Sequence, residues 1–386
     1  MNRSVHPHRT PKTRLCAGAA LAVCLFASGC ADTSYLLGSA AGHLKMLQAA
    51  RPVDDWLSED STPPALKRRL LLAQEIRRFA VTDLQLPDNG SYRRYADLSR
   101  RAVVWNVVAA PAYSLTLQTW CFPVAGCVGY RGYFDEQEAK SVAAAMHAQG
   151  LEASVYGVPA YSTLGWMNWL GGDPLLSTFI QYPEGELARM IFHELAHQVV
   201  YVKDDTAFNE SFATAVERLG STAWLARHAQ PAAQTQYSEF DARRRAFRAL
   251  TAQTRMKLKT IYALAGDTPS RAGTREAKKV AAYAEFREAY AQLKESWGGQ
   301  GSYDAWVANA NNASFGALAA YDDWVGAFED LFRREHGDWQ AFYMAVHQLA
   351  ALPQADRTRR LQQLIVVKGG AADVSGVGIP TTMLQK

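Results

Sequence analysis

The chain has 386 residues, 48% of them apolar and 20% charged, which allows a large core and excludes a globally disordered polypeptide. Its formal charge of +4 comes from Arg3, Arg9, Lys12 and Arg14; beyond residue 29 the remaining 37 of 41 basic residues balance 37 acidic ones. That balance leaves no basic field to attract nucleic acid.

Residues 1–29 read as a secretory signal. A basic segment ends at Arg14, and an apolar stretch from Leu15 to Ala27 follows, too short for a transmembrane helix. The string Ala27-Ser28-Gly29-Cys30 has the small residues before a cysteine that resemble a bacterial lipobox, against an ordinary signal with an incidental cysteine. Cys30 is then the lipidated N-terminus, giving a membrane partner through several acyl chains. Asp32 is two residues past the cysteine rather than next to it, which favours the outer membrane, facing the periplasm.

Leu36, Leu37, Leu44 and Leu47 have helical spacing and are expected to pack on the body; lying near the membrane is the alternative. Pro63-Pro64 opens a helix expected from Pro64 to Val81. Residues 102–158 turn β-rich, with strands expected over 102–108, 127–134 and 153–158 and a helix from about Asp135 to Gln149. Cys121 and Cys127 fit a disulfide in an oxidising compartment; a metal pair is the alternative, but no further cysteine completes it. From Glu184 the pattern is helical: Glu184 to Val202, Thr206 to His228, about 232–265, 274–297, and several helices from Phe315 to Leu352. The residues after Val367 read as loose. The fold class is α+β, predominantly helical. Its layout is a signal peptide (1–29), an N-terminal helical segment (30–100), a core (101–230), a C-terminal helical region (231–366) and a tail (367–386).

The sharpest motif is His193-Glu194-Leu195-Ala196-His197. Residues four apart share a helix face, so both imidazoles reach one ion, while Glu194 on the adjoining flank can hydrogen-bond water without being a ligand. A surface helix with two incidental histidines is the competing reading; the apolar neighbours Leu187, Ile191, Leu195 and Val199 weigh against it. Glu210 follows at a distance that lets a second helix run beside the first and supply a third ligand. Glu217 is the runner-up, or else it orients a histidine. Two histidines, one glutamate and one water make an open catalytic zinc site, with Glu194 as general base. Tyr161, Tyr182 and Tyr321 are candidate oxyanion or substrate residues. The segment from Gly157 to Trp166 is a candidate for binding an extended peptide by strand addition.

The strings Trp120-Cys121-Phe122-Pro123-Val124-Ala125-Gly126-Cys127, Ala160-Tyr161-Ser162-Thr163-Leu164-Gly165-Trp166, Phe192-His193-Glu194-Leu195-Ala196-His197-Gln198 and Thr206-Ala207-Phe208-Asn209-Glu210-Ser211-Phe212-Ala213 resemble a bacterial family of predicted zinc aminopeptidases carried on lipoproteins. The resemblance implies a zincin-like metallopeptidase that acts on peptides, with one Zn2+ on His193, His197 and Glu210. The Asn-Glu-x-x-Ala pattern is also similar to that of gluzincin aminopeptidases. This chain departs from them in a shorter histidine-to-glutamate gap and in lacking their Gly-x-Met-Glu-Asn segment. Two other readings stand beside this one: a zinc amidase or endopeptidase on cell-wall peptides, and a non-catalytic envelope protein on the same scaffold. The presence of Glu194 argues against the second.

Overall fold

The computed structural model describes residues 35–122, 126–160, 162–163, 171–264, 269–319 and 324–369. Cys30, Tyr161 and Tyr321 lie outside these residues. A first helix, α1 (residues 35–49), leads into strand β1 (Arg51–Pro52) and helix α2 (Val53–Ser58). Helix α1 buries Met46 and Leu47 but leaves Leu36, Leu37 and Leu44 51%, 67% and 53% exposed. The expected core role therefore holds for Leu47 and fails for the other three leucines. Tyr35 packs inward, its ring meeting those of Phe122 and Tyr133, and Leu36, Leu37 and Leu44 turn away from it, while Leu47 in the last turn reaches the main core.

Helix α3 (Pro64–Thr82) starts at a proline, whose missing N–H costs nothing in the first turn. It buries Leu70, Ala73, Ile76, Phe79 and Ala80 at spacings of one helical face. Strands β2 (Arg94–Ala96), β3 (Val104–Pro111), β4 (Trp120–Phe122), β5 (Gly126–Val128) and β6 (Arg131–Tyr133) follow. Helix α4 (Glu136–Ala148) and strands β7 (Leu151–Val158) and β8 (Leu175–Leu176) come next. Strand β3 is central to one sheet: β7 runs antiparallel along its whole length, with Val104 opposite Val158 and Pro111 opposite Leu151, and β6 flanks it on the other side. Strand β8 runs parallel to β2 in a second small sheet with β1. Helix α4 is capped by Asp135, which accepts the Glu138 N–H at 2.8 Å, and it stops at Gly150, whose φ of +80° suits glycine. Its Ala139, Ala143 and Met146 cover Val107, Ala109 and Ala153 of the sheet.

Strands β4 and β5 form a hairpin joined by a Cys121–Cys127 disulfide, with Cα atoms 3.9 Å apart. The single strand expected over 127–134 is divided. Strand β5 pairs with β4 and β6 with β3, so Gly129 and Tyr130 form a bend between two different partners.

Nine helices complete the described residues: α5 (Glu184–Ala196), α6 (Thr206–His228), α7 (Pro231–Tyr262), α8 (Pro269–Ser296), α9 (Asp304–Ala308), α10 (Asn312–Ala319), α11 (Val325–Arg334), α12 (Trp339–Ala350) and α13 (Gln354–Gly369). Helices α5 and α6 lie against each other within the main core, which also takes side chains from α3, β2, β8, α11, α12 and α13. Helices α7 to α10 build a second core around Phe247, Tyr283, Phe286 and Phe315. Ala313 of α10 returns to the central sheet, packing on Val108 and Ala110. The fold is α+β with helices predominating, and among the described residues no helix is long and apolar enough to cross a membrane.

Candidate metal centre

Helix α5 is amphipathic about a sharp boundary. Leu187, Ala188, Ile191, Phe192, Leu195 and Ala196 are buried in the main core, each large side chain contributing about 1.5–3 kcal/mol to its fixation. Glu186, Arg189, His193 and His197, spaced at three and four residues, face a cleft of about 510 Å³. The helix ends six residues earlier than the Val202 expected from sequence, with His197 as its C-cap. Past that point the buried Asn209 side chain takes over the backbone pairing: its Oδ1 accepts the Val202 N–H at 2.8 Å and its Nδ2 donates to the Val202 carbonyl at 2.7 Å. The loop so locked starts α6 at Thr206, capped by Asp205, and puts Glu210, Thr214 and Glu217 on the cleft side of α6.

Three ligand atoms converge. His193 Nε2 lies 3.2 Å from His197 Nε2 and 3.3 Å from Glu210 Oε2, and His197 Nε2 lies 3.8 Å from Glu210 Oε2. A tetrahedral ion with bonds of about 2.1 Å has ligands roughly 3.4 Å apart, so the spacing fits one such ion with a fourth position open to the cleft. The charges point the same way. Burial lowers the pKa of both imidazoles, but the hydrogen bonds and charges of Glu210 and Glu217 outweigh it at His193 and lift that group to about 10. At His197 burial wins and the value falls to about 4. The carboxylates of Glu210 and Glu217 thus favour positive charge beside the imidazoles. His193, His197 and Glu210 could hold a metal ion.

Glu217 is not among the three converging donors. Its Oε2 takes the Nδ1 side of His193 at 3.0 Å, and its Oε1 accepts from Arg189 Nε at 3.0 Å. Arg189 also reaches Glu186 at 3.1 Å, and Arg244 Nη2 lies 2.6 Å from both Glu186 oxygens. Sequence reasoning missed Arg189, although its place four residues before His193, on the polar side of an otherwise apolar helix, was a signal. It missed Asn209 as well, whose neighbour Glu210 drew the attention.

Glu194 is partly buried and lines the same cleft. Burial chiefly, then the charges of Glu210, Asp173 and Glu217 working against His193, push its carboxyl up to about 7. Tyr182 lines the cleft just before α5. Tyr130, at the bend between β5 and β6, lines it too; its hydroxyl is pushed well up by burial and then by the charge of Glu210, with Tyr156, Tyr201 and Glu194 adding to it. Of the upstream segment proposed to receive peptide, Val158, Pro159, Ala160 and Ser162 border the cleft, and β7, which leads into it, is an edge strand. Buried Asp173 ties the segment down, accepting the Thr163 N–H at 3.1 Å and the Thr163 hydroxyl at 2.9 Å.

Searches of curated proteins and of solved structures find no match to the chain. A family model does match, over residues 34–361, which includes every element from α1 to α12. With that span covered, the chain belongs to the family described as "Putative aminopeptidase".

Proposed function

We propose that the protein is a zincin-like, zinc-dependent peptidase, most simply an aminopeptidase, anchored by a lipidated Cys30 and facing the periplasm from the outer membrane. The observation that carries the reading is the convergence of His193, His197 and Glu210 at the spacing of one tetrahedral ion. Zinc suits two imidazoles and one carboxylate, and when bound it supplies Lewis acidity to the scissile carbonyl and to water. His193 presents Nε2 because its Nδ1 faces Glu217. Glu194 takes the proton of the attacking water and delivers it to the leaving amine; its raised carboxyl is suited to both transfers near neutral pH. Tyr130, which lines the cleft from the bend between β5 and β6, is the oxyanion donor we favour over Tyr182. The edge of β7 at Val158, which pairs with no further strand among the described residues, can take an extended peptide as an added strand.

One observation favours a second reading, cleavage within a chain, including cell-wall peptides. Glu186 and Glu217, two cleft carboxylates outside the ligand set, are both engaged by guanidinium groups, so neither offers an uncompensated charge to a peptide's amino terminus. A peptide panel with free and blocked amino termini, run on wild type and Glu194→Gln, separates the readings. The proposal expects cleavage by wild type and none by Glu194→Gln at equal zinc content; full activity in Glu194→Gln would remove the proposed base.

A further inference from the structure

Helix α1 has two faces of opposite use. On one, Tyr35 and Ser39 line the cleft wall, the Arg131 guanidinium sits 3.9 Å from the Tyr35 ring centre, and Met46 is buried. On the other, Leu36, Leu37, Ala40, Ala41 and Leu44 are all exposed. At 100° per residue these five fall on one arc and form an apolar stripe over residues 36–44; past it on the same arc Leu47 turns into the body and Gln48 is exposed. Three leucines of such exposure on one stripe are not the scattered apolar residues of an ordinary surface. Lys45, also exposed, sits at the edge of the stripe, where its stem can lie along an apolar layer and its ammonium reach a charged headgroup.

The position of the stripe in the chain says what covers it. Cys30 precedes Tyr35 by five residues, a tether of at most about 18 Å when fully extended. Acyl chains on Cys30 therefore hold the start of α1 within one short tether of the bilayer. A helix of 15 residues is about 22 Å long, so it can lie flat there, apolar side down.

We propose that the outer face of α1 docks into the phospholipid interface that Cys30 anchors in, fixing the orientation of the body and holding the Tyr35 side of the cleft beside the membrane. This inference rests on the lipoprotein reading above. It turns a flexible tether into a two-point attachment, in which the second point is a helix face.

The test uses the full-length mature lipoprotein in phosphatidylethanolamine and phosphatidylglycerol vesicles that contain chain-labelled quencher lipids. With Cys30 acylated and Cys121 bonded to Cys127, a dye on Leu37→Cys reports the stripe and a dye on Met256→Cys, 61% exposed on α7, reports a remote surface. The expected result is several-fold stronger quenching at position 37 than at 256. It is lost when Leu36→Gln and Leu44→Gln are added, while vesicle flotation and thermal unfolding stay unchanged. Equal quenching at 37 and 256 on vesicles that still float the protein overturns the docking and leaves the lipoprotein reading intact. A position-37 dye already shielded without vesicles, with or without dependence on protein concentration, means that a second copy or residues 370–386 cover the stripe, and overturns it too. Absence of acyl mass on Cys30 together with loss of flotation removes the lipoprotein reading and the inference with it.

Discussion

Glu217 on α6 and Arg189 on α5 form a buried pair that reaches through to the metal cluster: one Glu217 oxygen takes Arg189 Nε at 3.0 Å, and the other lies 3.0 Å from His193 Nδ1. Burial alone raises the Glu217 carboxyl, but Arg189 and His193 outweigh it and hold the group well below the usual carboxylate range. An ionised carboxylate only accepts, so Nδ1 carries a proton toward Glu217 and Nε2 is the nitrogen that would meet an ion, giving up its own proton to it. Glu217→Gln is expected to fold and to bind zinc about 10–100-fold more weakly, the usual cost of removing a partner that orients a ligand. Glu217→Ala leaves Arg189 without its main counter-charge and is expected to lower unfolding free energy by about 3–5 kcal/mol. Zinc titration against a chelator and urea unfolding read the two effects separately; unchanged affinity in Glu217→Gln would contradict the orienting role.

Glu194 gives a pH signature in the metal-free protein. Its carboxyl rises from 4.5 to about 7 on folding, so the folded state holds a proton that the unfolded chain has lost. That contribution to stability is fully present below about pH 4.5 and disappears as pH rises through 7. The urea midpoint of metal-free wild type should therefore fall between pH 4.5 and 7 relative to that of Glu194→Gln, which lacks this carboxyl and shares the titration of His197. Two parallel curves over this range would show that burial does not raise the carboxyl.

Tyr130 and Tyr182 are distinguished by rate. Tyr130→Phe is expected to lower kcat by about 10²–10³ while zinc content stays near wild type, the loss typical of one oxyanion donor. Tyr182→Phe is expected to change kcat little. The reverse order would move the donor to the loop before α5.

The Cys121–Cys127 disulfide closes a seven-residue loop, counting both cysteines. Loop closure of that size is worth about 2 kcal/mol. The hairpin also touches the connection between the two ligand helices, because Asp204 Oδ1 accepts the Cys127 N–H at 2.5 Å. Cys121→Ser with Cys127→Ser is expected to lower unfolding free energy by about that amount, measured by urea denaturation. An unchanged midpoint would mean that the reduced hairpin is held equally well by its neighbours.

The elements legible in the sequence are the ones whose signals are local. The four-residue step from His193 to His197 and the three- and four-residue steps between Glu210, Thr214 and Glu217 are consequences of helical pitch, so they could be read without a fold. Arg189 and Glu217 are 28 residues apart, and their pairing exists only because α5 and α6 lie together; no local pattern encodes it. Tyr130 looked like one residue of a continuous strand, and only the change of partner between β5 and β6 places it at the cleft. Periodicity grouped Leu36, Leu37, Leu44 and Leu47 on a side of α1 but could not say which of them pack inward: Leu47 is buried and the other three are exposed, and Tyr35 packs from the opposite side. The early end of α5 was equally hidden, because it depends on the Asn209 side chain replacing helix hydrogen bonds from the next element.

The central claim is that side chains from α5 and α6 share one ion. Metal analysis of the purified protein after zinc loading and desalting, compared with Glu210→Ala, tests it most directly. The account predicts about one zinc per wild-type chain and a loss of most of it in Glu210→Ala, with the helical content of both unchanged. Equal zinc in the two proteins, or none in the wild type, would contradict it.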